Sequence, residues 1–241
     1  EGRVAIVTGA SGNGMGRSIA LTLAREGASV VVNYRANRTA AEKVVEQIRR
    51  DGGAAVPMQA DVLDPQGCQT LVAGCVAAFG RVDICIIGPG GDWHPEPVDR
   101  LKTGAALSDV EREVGPVLFL LPLLLPGMYE RGWGRIIGIG THLGRPSPSY
   151  AYNLAKVSRM QALLMAADPA WPNGVTVNVI APGPVRGIET VEEAAELCRG
   201  GEKWQARADV SPQDIAEGVA FLCSEAGRYI TGCTLGYLFR G

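Results

Sequence analysis

Residues 150 to 156 read YAYNLAK, and their spacing singles out Tyr152 and Lys156 as a possible proton-transfer pair. Side chains at i and i+4 share a helix face, so Lys156 falls beside Tyr152 and not beside Tyr150. A free phenol ionises near pH ~10, and an adjacent ammonium favours the phenolate; lowering that value by about three units requires about 4 kcal/mol. A tyrosine so poised can donate a proton to a carbonyl oxygen or take one from an alcohol. Read blandly, the same spacing is an ordinary exposed helix face. The pair gains weight from what surrounds it.

The second chemical feature is the stretch TGASGNGMGRSIALTLA, where Gly9, Gly12, Gly14 and Gly16 lead from an apolar run into a helix. Glycine lets a backbone come close to a pyrophosphate, and a helix amino terminus offers it free amides and a positive dipole end. A tight strand-to-helix turn is the competing reading. The position between the first strand and first helix favours a dinucleotide cradle.

Elements of a particular kind must position these residues. Apolar runs at 3–7, 29–34, 82–87, 135–140 and 175–180 are the continuous kind that strands covered on both faces show. Between them, Ala41, Val44, Val45 and Ile48 follow helical spacing, as do Ile215, Gly218, Val219 and Leu222. Ser211-Pro212-Gln213-Asp214 reads as a helix start with serine as cap. Strands alternating with helices predict a single α/β domain over residues 1–241, a Rossmann-type doubly wound parallel sheet with helices on both faces. Ligands of such sheets bind beyond the carboxyl ends of the strands.

Composition narrows the partners. A net charge of −2 with interspersed signs leaves no basic stripe for nucleic acid and no polybasic membrane patch, so a small-molecule partner is expected. Six scattered cysteines without C-x-x-C spacing, and only His94 and His142, suggest a reducing, cytoplasmic setting and no metal site. The opening RVAIVTGA lacks a basic region and cleavage site, so no signal peptide is expected. The run VLFLLPLLLPGM at 117–128 is short for a bilayer and interrupted by Pro122 and Pro126, which predicts a buried helix or a subunit contact.

With these motifs in place, the chain resembles the short-chain dehydrogenase/reductase family over nearly its whole length. The family's Thr-Gly-x-x-x-Gly-x-Gly is matched, with one extra residue, by Thr8 to Gly16. Asp61-Val62 stands at the adenine contact, Pro182-Gly183 at the nicotinamide wall, and Tyr152 and Lys156 at the Tyr-x-x-x-Lys signature. The resemblance implies an oxidoreductase that moves hydride between a nicotinamide cofactor and a ketone or secondary alcohol. It implies catalysis by Tyr152, Lys156 and Thr141, with Thr141 standing for the family's serine eleven residues before Tyr152. It implies cofactor contacts at Gly9, Ser11, Asn13, Gly14, Met15, Arg35, Asp61, Val62, Gly88, Pro182, Gly183 and Val185, with Tyr152 and Lys156 reaching the ribose side. Ser147 and Ser149 are fallback hydroxyls that a turn-forming Pro-Ser-Pro-Ser context also explains.

For the choice of dinucleotide, an acidic residue ending the second strand would favour NAD. VVVNYRANR has none; Tyr34 holds that position and Arg35 and Arg38 follow. A guanidinium can grip a 2′-phosphate bidentately, which favours NADP(H); two solvated loop arginines are the alternative.

Two departures from the family pattern stand out. Ile87-Gly88-Pro89-Gly90 replaces Asn-Asn-Ala-Gly after the fourth strand, losing carboxamides that tie this turn to its neighbours. Counting back from Trp133 places Glu113 where relatives carry an asparagine that supports a water relay to the lysine. A glutamate there would pair with Lys156, or be a solvated helix residue.

Substrate specificity is expected from segments 88–105 and 184–210, with Trp93 and Trp204 as pocket walls or simple packing. The stretch after Pro182-Gly183 is short for a family lid, which points to an open site or compact substrate. The resemblance implies a homo-oligomer, tetramer or dimer, built through helices flanking the fifth strand and through the last strand. Two rivals remain: a dinucleotide-binding regulator or scaffold with impaired catalysis, and an epimerase or dehydratase that recycles its cofactor.

Overall fold

The apolar runs form the strands of one sheet in the computed structural model, which describes residues 2–90, 95–142, 149–200 and 209–237. In chain order the elements are β1 (Val4–Val7), α1 (Met15–Arg25), β2 (Ser29–Tyr34), α2 (Arg38–Arg50), β3 (Ala55–Gln59), α3 (Pro65–Phe79) and β4 (Ile84–Ile87). There follow α4 (Thr103–Glu130), β5 (Gly134–Ile139), α5 (Tyr150–Leu164), α6 (Ala167–Ala170), β6 (Val175–Pro182), α7 (Val191–Cys198), α8 (Pro212–Cys223) and β7 (Thr234–Tyr237). The seven strands lie in the order β3-β2-β1-β4-β5-β6-β7, and every neighbouring pair is parallel. The order reverses between β1 and β4, which opens a crevice at their carboxyl ends.

Alternation along the strands feeds two cores. Val30 and Val32 point into a core shared with Ile19, Leu23, Ile48 and Val219, beneath α1, α2 and α8. Val31 faces the opposite core with Leu71, Val117, Leu120 and Leu163, beneath α3, α4 and α5. Both predicted helical stripes are buried, and Ser211 caps α8 in a reciprocal box with Asp214.

Two elements depart from a reading by apolar runs. The third strand, AVPMQ, contains Pro57 and has no β-branched run to announce it. It lies at the sheet edge, where a residue without an N–H leaves no ladder partner stranded. The run at 117–128 is the second half of the 28-residue helix α4, which continues through Pro116, Pro122 and Pro126. This corrects the expectation of a short segment: α4 has the length and composition to cross a bilayer. Its stripe of Val117, Leu120, Leu124 and Met128 is nevertheless packed on the sheet, and Glu113 is buried on the same helix. It serves here as a sheet-covering helix.

Candidate active site

The turn between β1 and α1 is held by neutral ties. Asn33, polar and buried near the carboxyl end of β2, accepts from the Gly9 amide through Oδ1 at 3.1 Å, and its own carbonyl accepts from the Ala10 amide at 2.9 Å. Its Nδ2 donates to the carbonyl oxygens of Met58 and Ala60, which binds the turn to β3. Thr8 performs the equivalent task toward β4: its hydroxyl donates to Ile86 O at 2.8 Å and accepts from the Gly88 amide at 2.9 Å. Gly9 adopts φ +64°, and a Cβ there would lie 2.7 Å from Pro89 Cγ, so glycine is required on both counts.

This cradle fits a dinucleotide. Gly14 caps α1 without a side-chain hydrogen bond and has open space where a Cβ would stand, so the helix terminus is accessible to an anion. A cavity of about 210 Å³ is lined by Gly9, Gly14, Met15, Gly88 and Ile139. A second, of about 180 Å³, shares Gly9 and Pro89 with it and is lined by Arg35, Asp61, Val62 and Arg112. A third, of about 280 Å³, borders Asn13, Arg17, Asn37 and Lys43. Arg38, by contrast, is engaged by Glu42 at 2.7 Å along α2. A further cavity, about 640 Å³, lies elsewhere, between the carboxyl ends of α1, α2 and α7.

The helix carrying the tyrosine starts at Ser149, whose hydroxyl accepts from the Tyr152 amide at 3.4 Å. Capping therefore accounts for this buried serine. Tyr150 is exposed, while Tyr152 is half-buried with Lys156 Nζ 5.5 Å from its ring centroid. Tyr152 is thus placed beside Lys156, as the i and i+4 spacing predicts.

The lysine's nearest charge lies across the helix pair. Lys156 Nζ meets Glu113 Oε1 at 2.8 Å, and Arg159 Nη1 meets Glu113 Oε2 at 3.1 Å. Arg159 and Glu113 are buried almost completely. The guanidinium also donates from Nε to Glu113 O at 3.1 Å, and from Nη1 to Gly88 O at 2.9 Å and Ile139 O at 3.2 Å. Its Nη2 donates to Pro89 O. Gly90 lies so close to the Glu113 carboxylate that any Cβ would overlap it.

These charges change the expected electrostatics. Burial, and then the Glu113 carboxylate, push the Tyr152 phenol above its ordinary value, with Arg159 opposing. Burial and Arg159 pull Lys156 down, while Glu113 opposes through charge and hydrogen bond. The expectation that Lys156 lowers Tyr152 is thus reversed in the protein by itself. The reason is geometric: the ammonium is held by a carboxylate, and the phenol sits in a desolvated place.

The remaining predicted residues spread along the carboxyl edge. Thr141 lies just past β5, partly exposed, and His142 donates its amide to Pro182 O at 3.0 Å. Asp61 turns its carboxylate onto its own loop, accepting from Leu63 N at 3.0 Å. Pro182 ends β6, the Gly183 amide donates to Tyr237 O, and Val185 bridges to Val210. Ser11 sits within the turn after β1. Trp93, His94, Ser147 and Trp204 lie outside the described residues. The segment 184–210, expected as loop, contains α7, capped by Thr190, with Val191, Ala194, Ala195 and Cys198 buried on the α1 and α2 layer. Sequence reasoning missed Asn33 and Arg159. Asn33 had a signal, a lone carboxamide inside VVVNY; Arg159 had only its place three residues after Lys156.

Fold and site together define a dinucleotide-binding α/β oxidoreductase. A family model described as enoyl-(acyl carrier protein) reductase matches residues 9–237. The chain is 32% identical to 3-oxoacyl-[acyl-carrier-protein] reductase of Staphylococcus aureus, covering 96% of this chain and 94% of that protein. It is 31% identical to glucose 1-dehydrogenase 2 of Bacillus subtilis, covering 97% and 92%. A solved 7α-hydroxysteroid dehydrogenase, complexed with NADH and 7-oxo glycochenodeoxycholic acid, superposes with a TM-score of 0.84 at 28% identity, covering 98% of this chain and 93% of that one. The chain belongs to the short-chain dehydrogenase/reductase family, oxidoreductases that act on CH–OH and C=O groups with NAD(P).

Proposed function

We propose that the protein is an NADP(H)-dependent oxidoreductase that interconverts a ketone and a secondary alcohol, with residues 1–241 as one catalytic domain. The observation that carries this reading is Tyr152 and Lys156 on one face of α5, beside the carboxyl ends of the strands that form the cradle. When bound, the nicotinamide supplies or accepts hydride. Tyr152 holds the proton that a carbonyl oxygen receives on reduction and takes it back on oxidation. Burial and the Glu113 carboxylate keep the phenol protonated in the protein by itself, so the proton is in place, but they also make it a weaker acid than one poised near neutral pH. Thr141 orients the substrate oxygen through its hydroxyl, and Lys156 fixes the ribose side of the site.

Gly9, Ser11, Asn13, Gly14 and Met15 hold the pyrophosphate side, Asp61 and Val62 the adenine, and Gly88, Pro182, Gly183 and Val185 the nicotinamide side. The absence of an acidic side chain at the end of β2, with Arg35 lining the second cavity, supports a 2′-phosphate. Segments 88–105 and 184–210 select the substrate. Exposed apolar side chains on α4 and α5, among them Leu107, Leu118, Leu154 and Val157, support a homo-oligomer, tetramer or dimer, and the six scattered cysteines support a reducing, cytoplasmic setting.

The test is a panel of ketones with NADPH, followed by loss of nicotinamide absorbance, with Tyr152→Phe alongside. Turnover that Tyr152→Phe abolishes is expected. Tight NADPH binding without turnover on any ketone would overturn the enzymatic reading in favour of a dinucleotide-binding regulator, and product formed without net cofactor change would favour an epimerase or dehydratase. Arg35→Ala should weaken NADPH about 10- to 100-fold, the loss of one charge-assisted contact, and NADH far less. Equal loss for both would sink the 2′-phosphate assignment.

A further inference from the structure

We propose that Arg159 is a positioning residue: its guanidinium ties the turn after β4 and the end of β5 to α4, and holds the Glu113 carboxylate so that Lys156 is fixed beside Tyr152. This inference rests on the carbonyl-reductase reading and assigns two residues that reading does not use.

The geometry is specific to a guanidinium. Four carbonyl oxygens from three separate elements, those of Gly88, Pro89, Ile139 and Glu113, converge on one side chain. The bonds to Glu113 O and Ile139 O are buried and those to Gly88 O and Pro89 O are part-buried. The turn after β4 has no carboxamide of its own, since it reads Ile87-Gly88-Pro89-Gly90, and Arg159 supplies the donors from outside. The planar fork also reaches Glu113 Oε2, whose other oxygen holds Lys156 Nζ. Lysine at position 159 would have one nitrogen on a flexible stem and could not serve these acceptors together.

The charges facing Tyr152 come from few directions. Glu113 faces it from α4, and Lys156 and Arg159 share its helix. α4 also carries Asp109, buried one turn before Glu113, and Arg112; β5 carries Arg135 and α6 Asp168, and of the charges on the described residues Glu113 and Arg159 are the ones that act on the phenol. Glu113 disfavours the phenolate and Arg159 favours it, so the two act on Tyr152 with opposite sign. These opposite signs follow from the charges alone, so the positioning role is judged by kcat in a variant that keeps the charge and loses the fork.

The experiment titrates the Tyr152 phenol in the whole protein by phenolate absorbance, taking the difference from Tyr152→Phe. Glu113→Gln should move the midpoint down and Arg159→Met should move it up. A shift in the same direction for both, or in neither, overturns the proposal. Arg159→Lys keeps the charge and loses the fork: its midpoint should stay near that of the unaltered protein, while kcat for ketone reduction falls about tenfold or more with KM for NADPH changed less than about threefold. An unchanged kcat in that variant overturns the positioning role, and this arm stands even where Arg159→Met does not fold. Absence of turnover in the unaltered protein would defeat the carbonyl-reductase reading, while the phenol titration would still judge the charge cluster.

Discussion

The turn after β1 and the turn after β4 touch at Gly9 and Pro89, yet they are held by different means. The first is pinned by neutral groups, the Asn33 carboxamide toward β3 and the Thr8 hydroxyl, which also holds the Gly88 amide of the second turn. The second is pinned by a buried ion pair whose guanidinium reaches three elements. A neutral tie, when removed, leaves a polar group short of one partner, whereas half of a buried ion pair leaves an uncompensated charge. The cofactor side of the site is therefore divisible and the proton-handling side is not.

That contrast sets the order of expected losses. Arg159→Met should cost the most stability, about 3–5 kcal/mol in a denaturant titration, because a buried ion pair is broken and the carbonyl oxygens of Gly88, Pro89, Ile139 and Glu113 lose a shared donor, with Lys156 left as the partner of Glu113. A loss below about 1 kcal/mol would erase the distinction between the two turns. Asn33→Ala should cost about 1–3 kcal/mol, spread over the Gly9 amide and the β3 carbonyls, and should weaken dinucleotide binding without moving the Tyr152 midpoint. A moved midpoint would show the two regions to be coupled after all. The smallest effect is in alkaline stability. Because the folded protein raises Tyr152, this group contributes stability in full below pH ~10 and loses it as pH rises through the folded value. Melting temperature should fall more steeply above that pH in the unaltered protein than in Tyr152→Phe.

Much of the scaffold was legible in the sequence because buried parallel strands must be apolar on both faces, as SVVVNY and VTVNVI are. Pro57 hid the edge strand, and the prolines of α4 suggested an end to a helix that packing carries through. In the site, i and i+4 spacing placed Lys156 with Tyr152, and counting from Trp133 found Glu113. What escaped was Arg159. An arginine on a helix reads as a solvated surface residue, and nothing local states that four carbonyl oxygens await it from elements up to 71 residues away. The same blindness misjudged the tyrosine: the lysine was visible at short range, but the carboxylate that claims it arrives from another helix.

The Glu113–Arg159 pair also constrains how such a chain can be inherited. A lineage that acquired the arginine alone would carry a buried cation without its carboxylate, whereas the glutamate alone would still have Lys156, so arginine at 159 should depend on glutamate at 113. Gly90 joins them, since any side chain there would collide with the carboxylate. Among sequences descended with this one, an arginine at position 159 should travel with glutamate at 113 and glycine at 90, and a return to a neutral residue at 113 should release both partners at once. Three positions separated in sequence thus behave as a single heritable character.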